Sequence, residues 1–369
     1  MGNQYQKILN LLNGSDLKNL ELAFQLCKSM SVEYNKEVSY ALQKHILLCI
    51  KYGLETDSWQ SIKGLDLSNR QLETFPVELK SLKNLKWLGL SRNFITCLPD
   101  FLAELSKLEE LTLNDNKLCQ LHGNIGQLSN LSKLHLRSNQ IQSLPENISK
   151  LQNLEVLSLE DNQLTTIPDS LHNLSSLRSL RLQNNRLIDL PNNIGLIQQL
   201  THLDLSDNNL NNLPKSLGQL KNLEYVDISD NPLNKVSECI WELLELKSIY
   251  LSGINLLKLS ENIQNLLNLE FICLDDNQLE DLPVTIEKLQ NLTELSLSIN
   301  KFTSIPRSIF KLKNLKSLYL SENQIEVIPD EITQLEKLVF VDLSWNRISK
   351  SEQTRVKKLL PSCEVFFDS

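Results

Sequence analysis

Apolar positions recur along most of this chain with a period of 23 residues. The units begin at Ile62, Leu85, Leu108, Leu131, Leu154, Leu177, Leu200, Leu223, Leu246, Leu269, Leu292, Leu315 and Leu338, thirteen in all, without an insertion or deletion. Unit five shows the pattern whole in Leu154, Leu157, Leu159, Asn162, Leu164, Ile167, Pro168, Leu171 and Leu174. Alternation at positions four and six predicts a short strand with one buried face. Position nine is Asn in eleven units. Its side chain can bond its own turn and the next repeat, where backbone amides would otherwise be buried unpaired. Pro stands at position fifteen in nine units and fixes φ where the chain leaves the core ridge for the outer face. The stretch that follows is too short for more than about two helical turns.

Both flanks drop the period. In residues 1–60, Asn13-Gly14 reads as a helix stop and Ser15-Asp16 as a start. Two apolar runs follow, one over Leu17, Leu20, Ala23, Phe24 and Cys27, the other from Ala41 to Cys49, ending near Gly53. They predict two or three short helices that cap the open end of the core. Residues 61–349 hold the repeats, and 350–369 predict a second cap. That cap would be a helix from Ser351-Glu352 to Leu359-Leu360, stopped by Pro361, then a strand over Cys363 to Phe367.

On these residues the chain resembles the leucine-rich repeat family. It resembles the 23-residue L-P-x-x-I subclass of bacterial, plant and Ras-pathway scaffold proteins, and the likeness spans about 62–349. The resemblance implies an α/β solenoid: a curved horseshoe with parallel strands on the concave face and short helices or 3-10 turns outside. It says far less about function, because fold alone does not fix it.

Charge narrows the choice of partner. Lys and Arg number 37 and Asp and Glu 45, a net −8 that argues against nucleic acid or an anionic membrane surface. Seven cysteines, an odd number with no C-x-x-C, fit a reducing compartment rather than a disulfide scaffold. The start has no basic region followed by an apolar one, and Gly2 is followed at position six by Gln6 rather than Ser or Thr. No run of apolar residues is long enough to span a membrane. The expected location is the cytoplasm, with export lacking a cleaved signal as the alternative.

Catalytic signatures are missing. There is no P-loop, H-E-x-x-H or G-x-S-x-G pattern. His135 and His202 fall on strand positions three repeats apart, some 14 Å at about 4.8 Å per strand, too far to share a metal. His122 and His172 fall in turn or outer positions. Cys97, Cys119 and Cys239 replace variable turn or outer residues, and Cys273 faces out from a strand. No enzymatic activity, cofactor or metal is expected, and no catalytic domain outside the repeats.

Strand positions three, five, seven and eight face away from the core. These columns hold fourteen acids and four bases, so the chain's negative excess is expected on one surface. Six of those acids sit at position eight, where Asp can cap a local turn. Lys133, His135, Arg137 and Arg181 suggest a basic island, followed by Asp204, Asp207, Asp227 and Asp230. Tyr225, Tyr250 and Phe271 then occupy consecutive strands, within about 5–10 Å of one another. Trp87, Phe340 and Trp345 read as contacts to the caps. Repeat nine departs from the pattern, with Gly253, Ile254 in place of the Asn and Ser260 in place of the Pro, after Ser237 in repeat eight.

The expected function is a non-enzymatic scaffold that binds a partner protein bearing a basic patch. The candidate contact residues are Tyr225, Tyr250, Phe271, Asp204, Asp227, Arg181, His135 and Arg137. Two alternatives stand beside it: a regulatory subunit of a phosphatase or Ras-like GTPase, and an exported effector or surface factor that meets host proteins.

Overall fold

The computed structural model describes residues 2–30 and 34–368, so residues 1 and 369, the outermost limits assigned to the flanks, lie outside the described residues. One parallel sheet runs through the repeats. It has fourteen strands in strict sequence order, from β1 (Gly64–Asp66) to β13 (Phe340–Asp342), with β14 (Glu364–Phe366) on the far edge. Neighbouring strands pair in exact 23-residue register inside the repeats, for example Leu157 with Leu180. Each strand is three residues long because only positions three to five lie flat. Each crossover between β1 and β13 returns through a short 3-10 turn on the outer face, such as Asp169–Asn173, and the last, to β14, passes through a helix over Lys350–Leu359. The result is the curved solenoid expected from the sequence.

A single apolar column holds the stack together. In repeat five, Leu154, Leu157, Leu159, Leu164, Leu171 and Leu174 are all fully buried. Polar cement lies beside them. Asn162 Nδ2 donates to the carbonyls of Leu136, Leu159 and Glu160, each at 3.0 Å, and its Oδ1 accepts the Ile141 N–H at 3.0 Å. Every ladder Asn from Asn93 to Asn346 bonds a carbonyl of the preceding repeat in the same way. Backbone groups that would be orphaned in the turn are therefore satisfied.

Position eight follows a rule that the sequence pattern hid. In all thirteen repeats its φ is positive, from +49° at Asp276 to +63° at Gly253. Asp and Asn abound there because they tolerate left-handed backbone. The expected turn-capping role belongs instead to position five. Asp66, Asp204, Asp227 and Asp342 each accept the N–H of the residue two further on, Ser68, Ser206, Ser229 or Ser344.

Among the described residues, 2–30 and 34–60 form five helices rather than two or three: α1 (Gly2–Leu12), α2 (Leu17–Ser29), α3 (Lys36–Gln43), α4 (Ile46–Tyr52) and α5 (Thr56–Gln60). Asp16 caps α2 through its side chain, and Gly53 ends α4 in left-handed backbone. The second apolar run splits at His45. That ring stands edge-on to Phe24, and its Nε2 lies 3.3 Å from the Leu12 carbonyl. The helices share one core with the first repeats. At the other end α6 (Lys350–Leu359) starts from a Ser349 cap, and β14 adds to β13 as expected.

Candidate functional site: the concave face

Side chains at positions three and five form two parallel columns along the sheet. Across repeats seven to ten they assemble a continuous row of rings. His202 stacks on Tyr225 with centroids 5.9 Å apart, Tyr225 lies 5.3 Å from Tyr250, and Tyr250 lies 4.7 Å from Phe271. The three rings expected from the sequence do meet. His202, weighed earlier only as a metal ligand, extends them.

Carboxylates flank the row. Asp204 and Asp227 are directly opposed on adjacent strands, and Tyr250 is opposite Asp227 on the next. Burial pushes the Asp227 carboxyl up to about 6, and the nearby Asp204 and Asp230 charges add to the shift. Burial also raises the Tyr225 and Tyr250 hydroxyls, with Asp227 contributing to both. A recess of about 310 Å³ opens between Arg181, Gln183, His202, Asp204 and Tyr225. A half-buried carboxylate beside an aromatic face favours a cation, which gains from both charge and ring quadrupole.

The basic island is not a free positive patch. Arg137 Nε bonds Asp161 Oδ2 at 2.8 Å, Lys133 lies 3.7 Å from Glu110, and Arg181 lies 3.8 Å from Glu160. Each base meets an acid on a neighbouring repeat. Burial lowers the pKa of His135, whose Nδ1 faces Ser158 Oγ at 3.2 Å. Glu160 is buried, with its carboxyl pushed up by desolvation.

A second aromatic group escaped the sequence reading. Tyr319 lies 5.2 Å from Phe340, which lies 5.4 Å from Phe366 on β14. Tyr319 occupies position five of repeat twelve, so its column already marked it. Phe340 does contact the closing strand. Trp345 stands 69% exposed, with its backbone N–H on Asp368. Two cysteines also differ from expectation. Cys239 is buried, its thiol 3.2 Å from Ser237 Oγ. Cys273 points to the concave side but is covered by Ser252 and Asp275, and burial raises its thiol to about 11. Among the described residues no helix is long and apolar enough to cross a membrane, and no group of three metal-ligating side chains converges.

An open parallel sheet with one Asn-cemented turn per 23 residues defines a solenoid repeat protein. The leucine-rich repeat family model matches residues 129–187, 198–257 and 290–348. A solved leucine-rich repeat protein of Leptospira interrogans is 32% identical, superposes with a TM-score of 0.81 and is covered over 97% of both chains. The chain belongs to the leucine-rich repeat family. Internalin InlF of Listeria monocytogenes has the same fold, at 22% identity and TM-score 0.76 over 89% of this chain and 94% of that one. The ectodomain of the Arabidopsis thaliana receptor kinase GASSHO1/SCHENGEN3, solved with Casparian strip integrity factor 2, is 27% identical at TM-score 0.59, over 85% of this chain and 44% of its own. No curated protein matches the chain in sequence. Proteins of this fold are generally protein–protein interaction scaffolds and typically not enzymes.

Proposed function

We propose that the concave face from repeat four to repeat ten clasps a partner protein bearing a basic patch, with Tyr225, Tyr250 and Phe271 as its anchors. The observation behind this reading is the unbroken row of rings from His202 to Phe271, set against the opposed carboxylates of Asp204 and Asp227. A few well-packed residues, enriched in Trp, Tyr and Arg, carry most of the energy in protein interfaces. Arg181 borders the row opposite Asp204, and His135 and Arg137 stand in repeat four; these residues serve register more than attraction, since Arg137 and Arg181 are each paired to an acid of this chain. The receptor ectodomain crystallised with an integrity factor supports binding by a related solenoid. The helices before Trp59 and α6 with β14 close the two ends of the apolar column in this reading. Seven free cysteines favour a reducing compartment, hence the cytoplasm.

The test is affinity capture from source-cell lysate with wild-type bait and a Tyr225→Ala/Tyr250→Ala/Phe271→Ala variant of unchanged melting temperature. A protein held by wild type and lost by the variant is the expected result. A protein held equally by both puts the contact elsewhere on the molecule.

A further inference from the structure

One flank of the solenoid, between the Asn turns and the outer 3-10 turns, carries a groove of about 920 Å³ across repeats six to nine. The groove adjoins the stretch where the repeat pattern fails. Ile254 stands where the ladder Asn should be, so the Leu233 N–H closes on the Asn231 carbonyl at 2.8 Å instead of reaching a side chain in the next repeat. Most repeats also donate from position ten to the preceding one, as Asn209 does to Leu187. Pro232 has no N–H to give. Asn255, held at φ +57°, makes no such bond either. Ser237 and Ser260 replace two successive prolines and line the opening.

The groove has an apolar floor and a basic wall. Leu213, Val236 and Trp241 are buried along the floor. Trp241 is 1% exposed, yet its indole N–H has no acceptor. A buried donor in that state is destabilising until something accepts from it. Lys215, Lys235 and Lys258 come from three consecutive repeats, all exposed, and none of them takes part in an ion pair or hydrogen bond. Two acids share the wall but are already engaged. Glu238 accepts from Asn262 Nδ2 at 2.8 Å, and Glu242 faces Lys221 at 3.8 Å. Three uncommitted cations therefore line a single recess, on a chain of net charge −8.

We propose that this groove binds an acidic, extended segment of a partner protein, its carboxylates on Lys215, Lys235 and Lys258 and its apolar atoms over Leu213, Val236 and Trp241. The span fits such a segment. Three repeat steps of about 4.8 Å cover some 14 Å, the length of four or five extended residues at about 3.3 Å each. Alternate side chains of an extended strand then reach the same wall. This surface is separate from the concave face and does not depend on the function proposed for it.

The experiment uses the full chain and a fluorescein-labelled hexapeptide of alternating Glu and Asp, with a Gly-Ser hexapeptide as control, followed by anisotropy at low ionic strength. The acidic peptide is expected to bind and the control not. Lys215→Gln/Lys235→Gln/Lys258→Gln should weaken binding about tenfold or more, and raised salt should do the same. The Tyr225→Ala/Tyr250→Ala/Phe271→Ala variant should bind as wild type does. Equal binding by the lysine variant, or none above the control, overturns the proposal. So does displacement of the peptide by an equal concentration of inorganic pyrophosphate, which would mark a small-anion site. Lysine-dependent binding to phosphatidylserine vesicles without peptide binding would mark a membrane contact and overturn it as well.

Discussion

Tyr250 and Phe271 pack with ring centroids 4.7 Å apart, although neither is opposite the other in the sheet. Register pairs Phe271 with Ser248 and Tyr250 with Cys273. The contact is therefore diagonal, from position five of one strand to position three of the next. The small Ser248 leaves room for it. Rings at a fixed column would stack straight along the solenoid, whereas here they step from one column to the other and cover the floor between them.

Tyr250→Ala removes the middle of this row. Each ring pair is worth about 0.5–1.5 kcal/mol beyond burial, and the rings stand on the surface side of the sheet. The variant loses two such pairs, so stability should fall by about 1–3 kcal/mol, and affinity for a concave-face partner by about 1–3 kcal/mol as well. Urea denaturation and titration calorimetry separate the two. A stability loss of about 3–5 kcal/mol, as for emptying a core, would show that the rings are structural rather than recognition elements.

The ladder gives a contrasting case. Asn162→Ala leaves the buried Ile141 N–H without its acceptor, while the Leu136 carbonyl keeps its bond from Asn139 Nδ2 at 3.0 Å. One unsatisfied group of this kind costs about 1–3 kcal/mol, so a loss of roughly that size is expected. Hydrogen exchange at the Ile141 amide should accelerate far more than at amides two repeats away, because a solenoid couples only neighbours.

Much of this architecture was legible because the period is strict. Asn at position nine, Pro at position fifteen and the L-x-L alternation each have one physical reading, and the strands, turns and closing helix follow from them. What stayed hidden depends on backbone sign or diagonal reach. Asp161 looked like a turn cap, yet it sits in left-handed backbone and binds Arg137, 24 residues away. That offset crosses from one column to its neighbour, so a column-by-column reading left Arg137 in a free basic island. Ser206 and Ser229 looked featureless but hold Asp204 and Asp227 in place. His45 breaks a helix through contacts with Phe24 and Leu12, which no local signal announces.

Position eight also holds a strained residue. Ile299 has φ +55°, and branching at Cβ makes that region costly. Its side chain is 43% exposed, so burial does not compensate. Ile299→Asn should stabilise the protein by about 0.5–1.5 kcal/mol, read from the urea midpoint at constant slope. A destabilised variant would mean that the Ile299 side chain makes a packing contribution larger than the backbone strain.

The break between repeats eight and nine should divide the solenoid dynamically. Leu233 bonds within its own turn and the Asn255 N–H does not reach repeat eight, although the Asn234 N–H still bonds the Ile254 carbonyl at 2.9 Å. With fewer bonds across this boundary, turn amides in 231–236 and 253–257 should exchange at least about tenfold faster than their counterparts in repeats five and six. Hydrogen exchange followed by mass spectrometry resolves these peptides. Uniform protection along the array would mean that apolar stacking of Leu233, Ile254 and Leu256 alone carries the coupling.

Asp227 makes the stability of the concave face depend on pH. Its carboxyl is pushed up to about 6, first by burial and then by Asp204 and Asp230. The folded state therefore holds this proton more tightly than the unfolded chain, whose aspartates titrate near about 4. Its favourable contribution is fully present below about pH 4 and is lost as pH rises through about 6. Asp227→Asn keeps an oxygen to accept the Ser229 N–H and removes the charge. The variant should exceed wild type in stability by roughly 1–2 kcal/mol at about pH 7.5, and the gap should close towards about pH 4. Urea melts at four pH values measure it. A gap that does not change with pH would locate the effect in packing and not in the carboxylate. If the proposed concave-face binding holds, the same substitution is expected to weaken binding of a basic partner, read by titration calorimetry.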